Sequence, residues 1–442
     1  MIPASVFLAA LCVQAAEAPD LGTRKAGADW PSFLGPERDG KSSERGVAAW
    51  PAAGPRVAWS RELGESFGSA SVARGRLFHL DRFGGKVRLS CLKSETGEEL
   101  WRSEYETHYA DMYDSNSGPR CCPVVDGERV YTFGADGLLQ CHRVADGSVL
   151  WKRDTAADFK VMPNFFGVGS TPVVEGDLLI AVVGGSAPRS PPIASGELKG
   201  LDSGIVAFDK RTGEEKYRIS DELAAYGSPV TATIGGRRWG FVFARGGLVG
   251  FEPATGKVDF HYPWRARANL SVNACTPVVV GDHVFISEAY SVGSSVLKVR
   301  PGGFDVVWED GKKRDQSFLA WWNTPIHVEG HLYGSSGMQG PQAELRCIEM
   351  ATGKVKWSEG GLTQCGQLFV DGHFVSVSED GDLRLVKVNP ARYEEMAKAV
   401  LKGADGAPLL RAPVRAAPIL SHGLLYVRGR DRLVCLDLIP AK

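Results

Sequence analysis

The sequence predicts an all-β fold, an eight-bladed β-propeller of four-stranded antiparallel blades, and three repeated patterns support this prediction. The first pattern is a four-strand unit at residues 121–152, where short apolar runs are separated by Asp-Gly pairs at 126–127, 136–137 and 146–147. Asp-Gly favours the positive φ angles of tight hairpin loops, so this unit reads as an antiparallel meander. One meander cannot bury both of its faces, and it therefore needs neighbours of the same shape.

The second pattern is a turn glycine followed four residues later by a large, usually aromatic residue. Successive copies are mostly about 40 to 50 residues apart, which is the period of propeller blades. We expect the large residues to be structural anchors of the outer strands. Including a first copy that no blade precedes and a looser sixth copy, the anchors are Trp59, Trp101, Trp151, Tyr217, Phe260, Trp308 and Trp357.

The third pattern is a small residue followed by proline and valine or isoleucine at the start of an inner strand. Combined with three less regular copies, it predicts eight blades. The inner strands begin near Ala70, Pro123, Pro172, Pro229, Pro277, Pro325, Leu368 and Pro418. The seventh blade departs from the repeat, because apolar residues at helical spacing between 390 and 400 predict a short amphipathic helix there (Tyr393, Met396, Ala397 and Val400).

The two ends of the repeat array complement each other. Residues 57–60 resemble an outer strand with no blade before it, and the last repeat stops after residue 436 without an outer strand. Pairing these N- and C-terminal strands closes the ring and removes its open edges. We therefore assign residues 56–442 to the propeller.

Two segments precede the propeller. Residues 1–18 contain a short apolar run followed by small residues, which is typical of a cleaved signal peptide, and residues 19–55 are rich in proline, glycine and alanine and predict a strap over the domain. We expect a periplasmic or secreted monomer without a transmembrane segment. The 51 basic and 52 acidic residues nearly balance, which argues against a nucleic-acid partner.

The blade topology places all long connections on one face of the ring. The turns between strands one and two and between strands three and four are tight, whereas the connections on the opposite face are long and aromatic. Binding residues usually lie on long loops of a rigid scaffold. The candidates on this long-loop face are Tyr109, Tyr113, Arg120, Cys121, Cys122, Phe165, Phe166, Trp264, Arg265, Trp321, Trp322 and Asn323.

Several of these candidates have an alternative structural interpretation. The paired aromatics at 165–166 and 321–322 either cover the channel mouth or stack on a ligand, and the arginines either bind an anion or pair with loop carboxylates. His327 and His331 flank a turn rather than share a helix face, so we expect no zinc site and no other metal there.

Most of the nine cysteines occupy repeat columns of small residues. Cys91, Cys141, Cys347 and Cys435 share a third-strand column, in which other blades have alanine or glycine. A second column holds Cys121 and Cys275, and serine or alanine in other blades. These positions predict packing, in which cysteine acts as a small buried residue.

The turn sequences ETGEELW at 95–101 and ATGKVKW at 351–357 resemble the PQQ-type propeller repeat of quinoprotein alcohol dehydrogenases and of BamB proteins. The resemblance covers roughly residues 57–438, and the opening DWPSFLGP at 29–36 adds to it. It implies an eight-bladed propeller without an established chemistry. We expect an exported, non-catalytic binding or scaffold module without a cofactor, whose partner is a protein, a peptide or a glycan.

The alternative is a soluble PQQ-dependent alcohol or sugar dehydrogenase that uses PQQ with calcium. Quinoprotein alcohol dehydrogenases carry a disulfide between adjacent cysteines, and Cys121 and Cys122 are adjacent here. The residues do not match the calcium ligands or the catalytic aspartate of those enzymes, although Asp111 and Asp114 lie nearby. We therefore expect free thiols, and we assign no catalytic residue.

Overall fold

A computed structural model describes residues 17–113, 115–162, 165–186, 200–265, 273–338 and 340–441. Most of the expected signal peptide, together with Asp114, lies outside the described residues. The described chain forms eight sheets, each built on an antiparallel four-stranded blade, and in seven of the blades the four strands pair in chain order. This arrangement confirms the predicted eight-bladed propeller.

We number the blades in chain order. Blade 1 consists of Ser71–Ala73, Arg76–Phe83, Lys86–Lys93 and Glu99–Glu106, and blade 2 of Val124–Asp126, Arg129–Phe133, Leu138–Arg143 and Val149–Asp154. Blade 3 consists of Val173–Glu175, Leu178–Val182, Ile205–Asp209 and Glu215–Ile219, and blade 4 of Val230–Ile234, Arg237–Phe243, Gly247–Phe251 and Val258–Pro263.

Blades 5 to 8 complete the ring. Blade 5 consists of Val278–Val280, His283–Glu288, Gly293–Arg300 and Gly303–Glu309, and blade 6 of Ile326–Val328, His331–Ser336, Glu344–Glu349 and Val355–Glu359. Blade 7 consists of Cys365–Val370, His373–Ser378, Asp382–Lys387 and Glu395–Val400, and blade 8 of Ile419–Ser421, Leu424–Arg428, Arg432–Asp437 and Arg56–Glu62. Short helical segments are Thr155–Phe159 (α-helix) and Gly340–Gln342 (3₁₀).

The outer strand of blade 8 comes from the N-terminal part of the chain. Arg56–Glu62 pairs antiparallel with Arg432–Asp437, and Trp59 lies opposite Cys435. The predicted closure of the ring by its N- and C-terminal strands is therefore confirmed. Because this pairing covers the free edge of the third strand, the last blade is complete.

The helix predicted between residues 390 and 400 is wrong. Glu395–Val400 is the outer strand of blade 7, in which Ala397 lies opposite Leu385 and Ala399 opposite Leu383. A single isolated helical turn gains few hydrogen bonds, whereas a strand at this position completes its ladder with a preformed neighbour. Tyr393 instead packs against the anchor Trp357, with ring centres 5.9 Å apart.

The anchors join neighbouring blades through a repeated hydrogen bond. The indole Nε1 atoms donate to backbone carbonyls of the next blade, over 3.0 Å from Trp59 to Ser94, 2.9 Å from Trp101 to Val144, 3.1 Å from Trp151 to Lys210, 2.8 Å from Trp308 to Met350 and 2.8 Å from Trp357 to Asn389. The Tyr217 hydroxyl donates to Pro253 O over 2.7 Å, and Phe260, which has no donor, packs on Phe304.

The anchors also explain the third-strand column of small residues. Cys91 lies directly opposite Trp101, and Cys141 lies opposite Trp151. In blade 4 the residue opposite Phe260 is Gly250, where a Cβ atom would come 2.4 Å from the ring. The large ring on the outer strand therefore restricts the size of its cross-strand neighbour.

The segment 30–42 crosses the central channel, and we call it the channel plug. Trp30 forms a β-bridge with Val72 of blade 1, and Lys41–Ser42 runs parallel to the inner strand of blade 7. Between them, Pro31 O accepts from the blade 2 inner strand, and Arg38 donates to the blade 3 and blade 4 inner strands. A segment bonded to the inner strands of five blades closes the channel.

Candidate binding site

A cavity of about 200 Å³ lies at the centre of the ring, where the blade-to-blade connections of the long-loop face converge. We call it the mouth cavity. Seven aromatic residues line it, namely Phe33, Phe67, Phe166, Tyr226, Tyr290, Trp321 and Trp322. Two arginines, Arg120 and Arg415, also line it. The cavity therefore offers aromatic faces and positive charge together.

The channel plug contributes to the inner end of the mouth cavity. Phe33 of the plug lines the cavity together with Ser69, Thr171 and Ser228, which lie at the starts of inner strands. Phe33 also borders a much smaller space below, beside Arg38 and Val173. Because the plug closes the channel at this level, a ligand would enter the cavity from the long-loop face.

Six cavity residues occupy one column of the blade repeat. Each lies three residues before the proline that begins an inner strand, and they are Arg120, Gly169, Tyr226, Ala274, Trp322 and Arg415. The residue after five of them is small, and Asn323 follows Trp322. The next residue along the chain hydrogen-bonds between blades; for example, Thr171 N donates to Ser228 Oγ over 3.0 Å. The repeat itself thus directs one column of side chains into the channel mouth.

Arg120 is held in place by its own loop. Its Nη2 atom donates to Asp111 Oδ2 over 3.1 Å and to Asn116 O over 2.9 Å, and its Nη1 atom donates to Gly118 O over 3.1 Å. Burial alone would raise the pKa of Asp111, but the hydroxyl of Ser115, two backbone N–H groups and Arg120 lower it. The pair therefore fixes the loop that forms this wall of the cavity.

Arg415 is held differently. Its Nε atom donates to Glu379 Oε1 over 2.7 Å, and its guanidinium lies 5.1 Å from the ring centre of Phe67 and 5.5 Å from that of Trp321. Within the described part of the chain, its Nη1 and Nη2 atoms donate no hydrogen bond, although the guanidinium as a whole is ion-paired with Glu379. The Nε end of the guanidinium is therefore fixed by Glu379, whereas its two Nη groups are available to a ligand.

The aromatic walls are joined by hydrogen bonds and ring contacts. The Tyr226 hydroxyl accepts from Phe166 N over 2.8 Å, and Trp321 Nε1 donates to the Tyr290 hydroxyl over 3.3 Å. Burial raises the pKa of both tyrosines above the usual range of a phenol, so both stay neutral at physiological pH. The rings are part of a connected structure rather than separate surface groups.

The structure places four of the predicted candidates in the mouth cavity and one at its rim. Arg120, Phe166, Trp321 and Trp322 line it. Tyr113 lies beside them, with its ring 5.5 Å from that of Phe166.

The other candidates lie elsewhere. Tyr109 lines a separate cavity of about 60 Å³, and burial raises its pKa to about 12. Phe165 and Trp264 are buried, Trp264 in an apolar cluster with Tyr262. Arg265 is not among the described lining residues, and the Asn323 amide donates to Gln364 Oε1 over 3.0 Å.

Cys121 and Cys122 lie beneath the cavity wall. Their side chains are fully buried and have separate partners: Cys121 Sγ lies 3.2 Å from Ser170 O, and Cys122 Sγ lies 2.9 Å from Ser71 Oγ. Burial raises the pKa of both thiols, that of Cys122 to about 12. As placed, these thiols are protonated and do not face the cavity.

Five aromatic or charged cavity residues were not among the sequence-based candidates, and they are Phe33, Phe67, Tyr226, Tyr290 and Arg415. The signal for two of them was present, since Tyr226 and Arg415 stand three residues before Pro229 and Pro418. The prolines mark the blades, and the column three residues before them identifies side chains of the channel mouth. Phe33 belongs to the plug, whose path no repeat indicates.

The metal chemistry of the described residues is limited. Among them, no group of three or more histidine, cysteine, aspartate or glutamate side chains is arranged to hold a metal ion. His327 and His331 each bond locally, to the backbone at residues 330 and 329. No helix in the described ranges is long and apolar enough to cross a membrane.

Comparisons with known proteins agree with the architecture. The family model described as outer membrane protein assembly factor BamB matches residues 85–359, more than half of the chain. The chain belongs to the BamB family. Among curated protein sequences, none matches this BamB-family chain.

Solved structures show how widely this propeller is shared. BamB from Moraxella catarrhalis is 12% identical, with a TM-score of 0.57, and the match covers 87% of this chain and 97% of that one. The quinohemoprotein alcohol dehydrogenase from Comamonas testosteroni is 14% identical, with a TM-score of 0.64, and the match covers 94% of this chain and 81% of that one. At these identities the likeness establishes the fold alone.

Proposed function

We propose that this BamB-family propeller is an exported, non-catalytic binding module that holds part of a partner molecule in the mouth cavity. The observation that carries this proposal is the composition of the cavity wall. Aromatic rings and two arginines surround a space that the channel plug closes from below. Concave sites lined by aromatic groups with a few convergent polar groups are typical ligand sites.

The same wall offers little for acid–base or nucleophilic catalysis. Among the described residues that line it, none is aspartate, glutamate, histidine or cysteine. The tyrosine phenols are neutral and hydrogen-bonded. This composition supports binding over catalysis.

Peptide or protein ligands suit this wall better than glycans. Carboxylate and amide side chains are strong acceptors for sugar hydroxyls, and the described lining contains neither; its side-chain acceptors are the hydroxyls of serine, threonine and tyrosine. Its two guanidinium groups are donors only. We therefore place a peptide segment, rather than a sugar, in the cavity.

A PQQ-dependent dehydrogenase is the second candidate, because aromatic faces and arginine could hold a planar anionic cofactor. The residues present do not fit its calcium ion, since the described lining supplies no carboxylate and the nearby Asp111 is engaged by Arg120 and Ser115. The adjacent thiols of Cys121 and Cys122 also lie outside the cavity.

Arrays of immobilised peptides and glycans, probed with the labelled protein, test this proposal. The double variant Phe166→Ala, Trp321→Ala removes two walls of the cavity, while Phe83→Ala removes an aromatic ring that is 64% exposed and is not part of the described cavity lining. We expect peptides to bind the wild type and the Phe83 variant alike, and the double variant at least tenfold more weakly.

Two results would contradict the proposal. One is equal peptide binding by the folded double variant, which would place the ligand elsewhere. The other is saturable, alcohol-dependent dye reduction by the wild type with added PQQ and Ca²⁺, which would establish the dehydrogenase instead.

A further inference from the structure

We propose that the mouth cavity receives the C-terminal residue of a partner polypeptide, with Arg415 binding the terminal carboxylate and the rings enclosing an aromatic side chain. This inference rests on the proposed function, since it specifies which part of a peptide enters the cavity. Four features of the described residues support it.

The first feature is the orientation of Arg415. Its Nε atom is occupied by Glu379, and rings of Phe67 and Trp321 lie against the guanidinium. The guanidinium is ion-paired with Glu379 through Nε, and its two Nη atoms donate no hydrogen bond to any of the described residues. Paired guanidinium N–H groups match the two oxygens of a carboxylate, and such charge-assisted pairs are the stronger hydrogen bonds of proteins.

The second feature is the other arginine of the cavity wall, whose hydrogen-bond donors are already occupied. The guanidinium of Arg120 lies 5.7 Å from the centre of the same Phe67 ring and 5.2 Å from that of Phe166. Its Nη atoms are bonded to Asp111 and to backbone carbonyls. Arg120 therefore contributes positive electrostatic potential and part of the cavity wall, whereas Arg415 is the arginine with N–H groups available to bind a ligand.

The third feature is the size and closure of the cavity. Its volume of about 200 Å³ is smaller than the roughly 300 to 1,000 Å³ of sites that enclose drug-sized ligands. The channel plug and Phe33 close its inner end. A continuous peptide strand could not pass through, but a single terminal residue can enter.

The fourth feature is an apolar path that leads out of the cavity. The ring of Tyr113 contacts that of Phe166, and Tyr113 and Met112 are each 54% exposed. Exposed apolar groups contiguous with a cavity wall suit a ligand that continues beyond it. This continuity favours a chain end over a free aromatic acid.

Fluorescein-labelled octapeptides that end in phenylalanine, tyrosine or tryptophan test the inference by fluorescence anisotropy. Each peptide is compared as the free acid and as the C-terminal amide, with the full-length protein. We expect amidation to weaken binding at least tenfold for the wild type and to have no effect for Arg415→Gln. Arg411→Gln is the matched control, because Arg411 is an exposed arginine paired with Asp431 and is not part of the described cavity lining.

The acid-to-amide comparison changes only the ligand, so it remains informative even if Arg415→Gln folds poorly. Equal binding of acid and amide peptides would overturn the inference while leaving the proposed function intact. Tight binding of N-acetyl-phenylalanine, equal to that of the peptides, would overturn the chain end as the source of the carboxylate. Failure of every one of these peptides to bind would overturn the inference, while the peptide arrays test the proposed function separately.

Discussion

Trp59 of the closing strand packs directly against Gly97, the turn glycine of blade 1. A Cβ atom on Gly97 would lie 2.8 Å from the indole ring, and Gly97 has a φ of +72°. The indole Nε1 donates to Ser94 O of the same turn. The aromatic anchor and the turn glycine are therefore two halves of one contact, and the sequence pattern that joins them recurs because the contact recurs.

This contact predicts a steric cost at Gly97. Gly97→Ala should destabilise the protein by about 2 to 4 kcal/mol, because it combines an unfavourable positive φ with a clash against Trp59. Gly302→Ala is the matched control, since Gly302 has a φ of +77° and nothing within 4 Å of its added Cβ. It should cost only about 1 to 2 kcal/mol. Equal losses in urea unfolding would show that Trp59 does not constrain the turn.

The closure of the ring predicts that both ends of the propeller are needed. Deleting residues 19–63 removes the strand Arg56–Glu62, and deleting the last ten residues removes most of its partner Arg432–Asp437. Each deletion exposes an unpaired strand edge, so we expect aggregation or loss of the cooperative transition. A truncated protein that stayed monomeric with an unchanged melting curve would contradict the closure.

Two buried histidines predict a loss of stability in acid. Burial lowers the pKa of His79 to about 3 and that of His142 to about 4, against 6.5 when unfolded. Because the unfolded chain binds these protons first, their contribution is fully present above pH 6.5 and is lost progressively as pH falls towards 4. Each should cost at most about 1.4 kcal/mol per pH unit in that window.

His142→Gln isolates one of these contributions. The His142 ring faces Thr132 and the carbonyl of Gly147, so glutamine can keep a polar group there. We expect the variant to lose roughly 2 kcal/mol less than the wild type between pH 7 and pH 5 in urea unfolding. An identical pH dependence would mean that His142 is not held neutral by burial.

The adjacent cysteines predict a small effect of substitution. Ser170 and Thr171 occupy the equivalent positions in the next blade, and Cys122 N donates to Thr171 Oγ1 over 3.0 Å. Cys121→Ser with Cys122→Thr should therefore cost no more than about 1 to 2 kcal/mol and leave peptide binding unchanged. Mass spectrometry of the unreduced protein should show both thiols; a mass two hydrogens lower across that peptide would contradict the packing role.

The fold could be predicted because each blade repeats the same local constraints. Turn glycines such as Gly97 and anchors such as Trp101 identify their neighbours by spacing alone, and Val57 to Ser60 could be recognised as a strand without a blade. The blade 7 helix was wrong because Ala397 and Ala399, two residues apart, fit the alternation of a strand. The free edge of the neighbouring strand Asp382–Lys387 favours a strand at this position. The spacing of residues in the sequence gives no information about that edge.

The site could be predicted only in part. Phe166 and Trp321 stand out in aromatic pairs on long loops, whereas Arg415 looks like any arginine in an alanine- and proline-rich stretch until its repeat column is aligned with Arg120. Phe33 reaches the cavity through the channel plug, which depends on contacts with the inner strands of five blades. Such long-range contacts leave no periodic signal in the sequence.

The most direct test of the central claim is to locate a bound peptide. An octapeptide with a diazirine-bearing phenylalanine at its C-terminus is bound, irradiated and mapped by mass spectrometry after digestion. We predict crosslinks to fragments that contain Phe166, Tyr226, Tyr290 or Trp321, and their loss when excess unlabelled peptide is added. Crosslinks confined to the tight-turn face or to outer strands, such as that of Val306, would contradict the account.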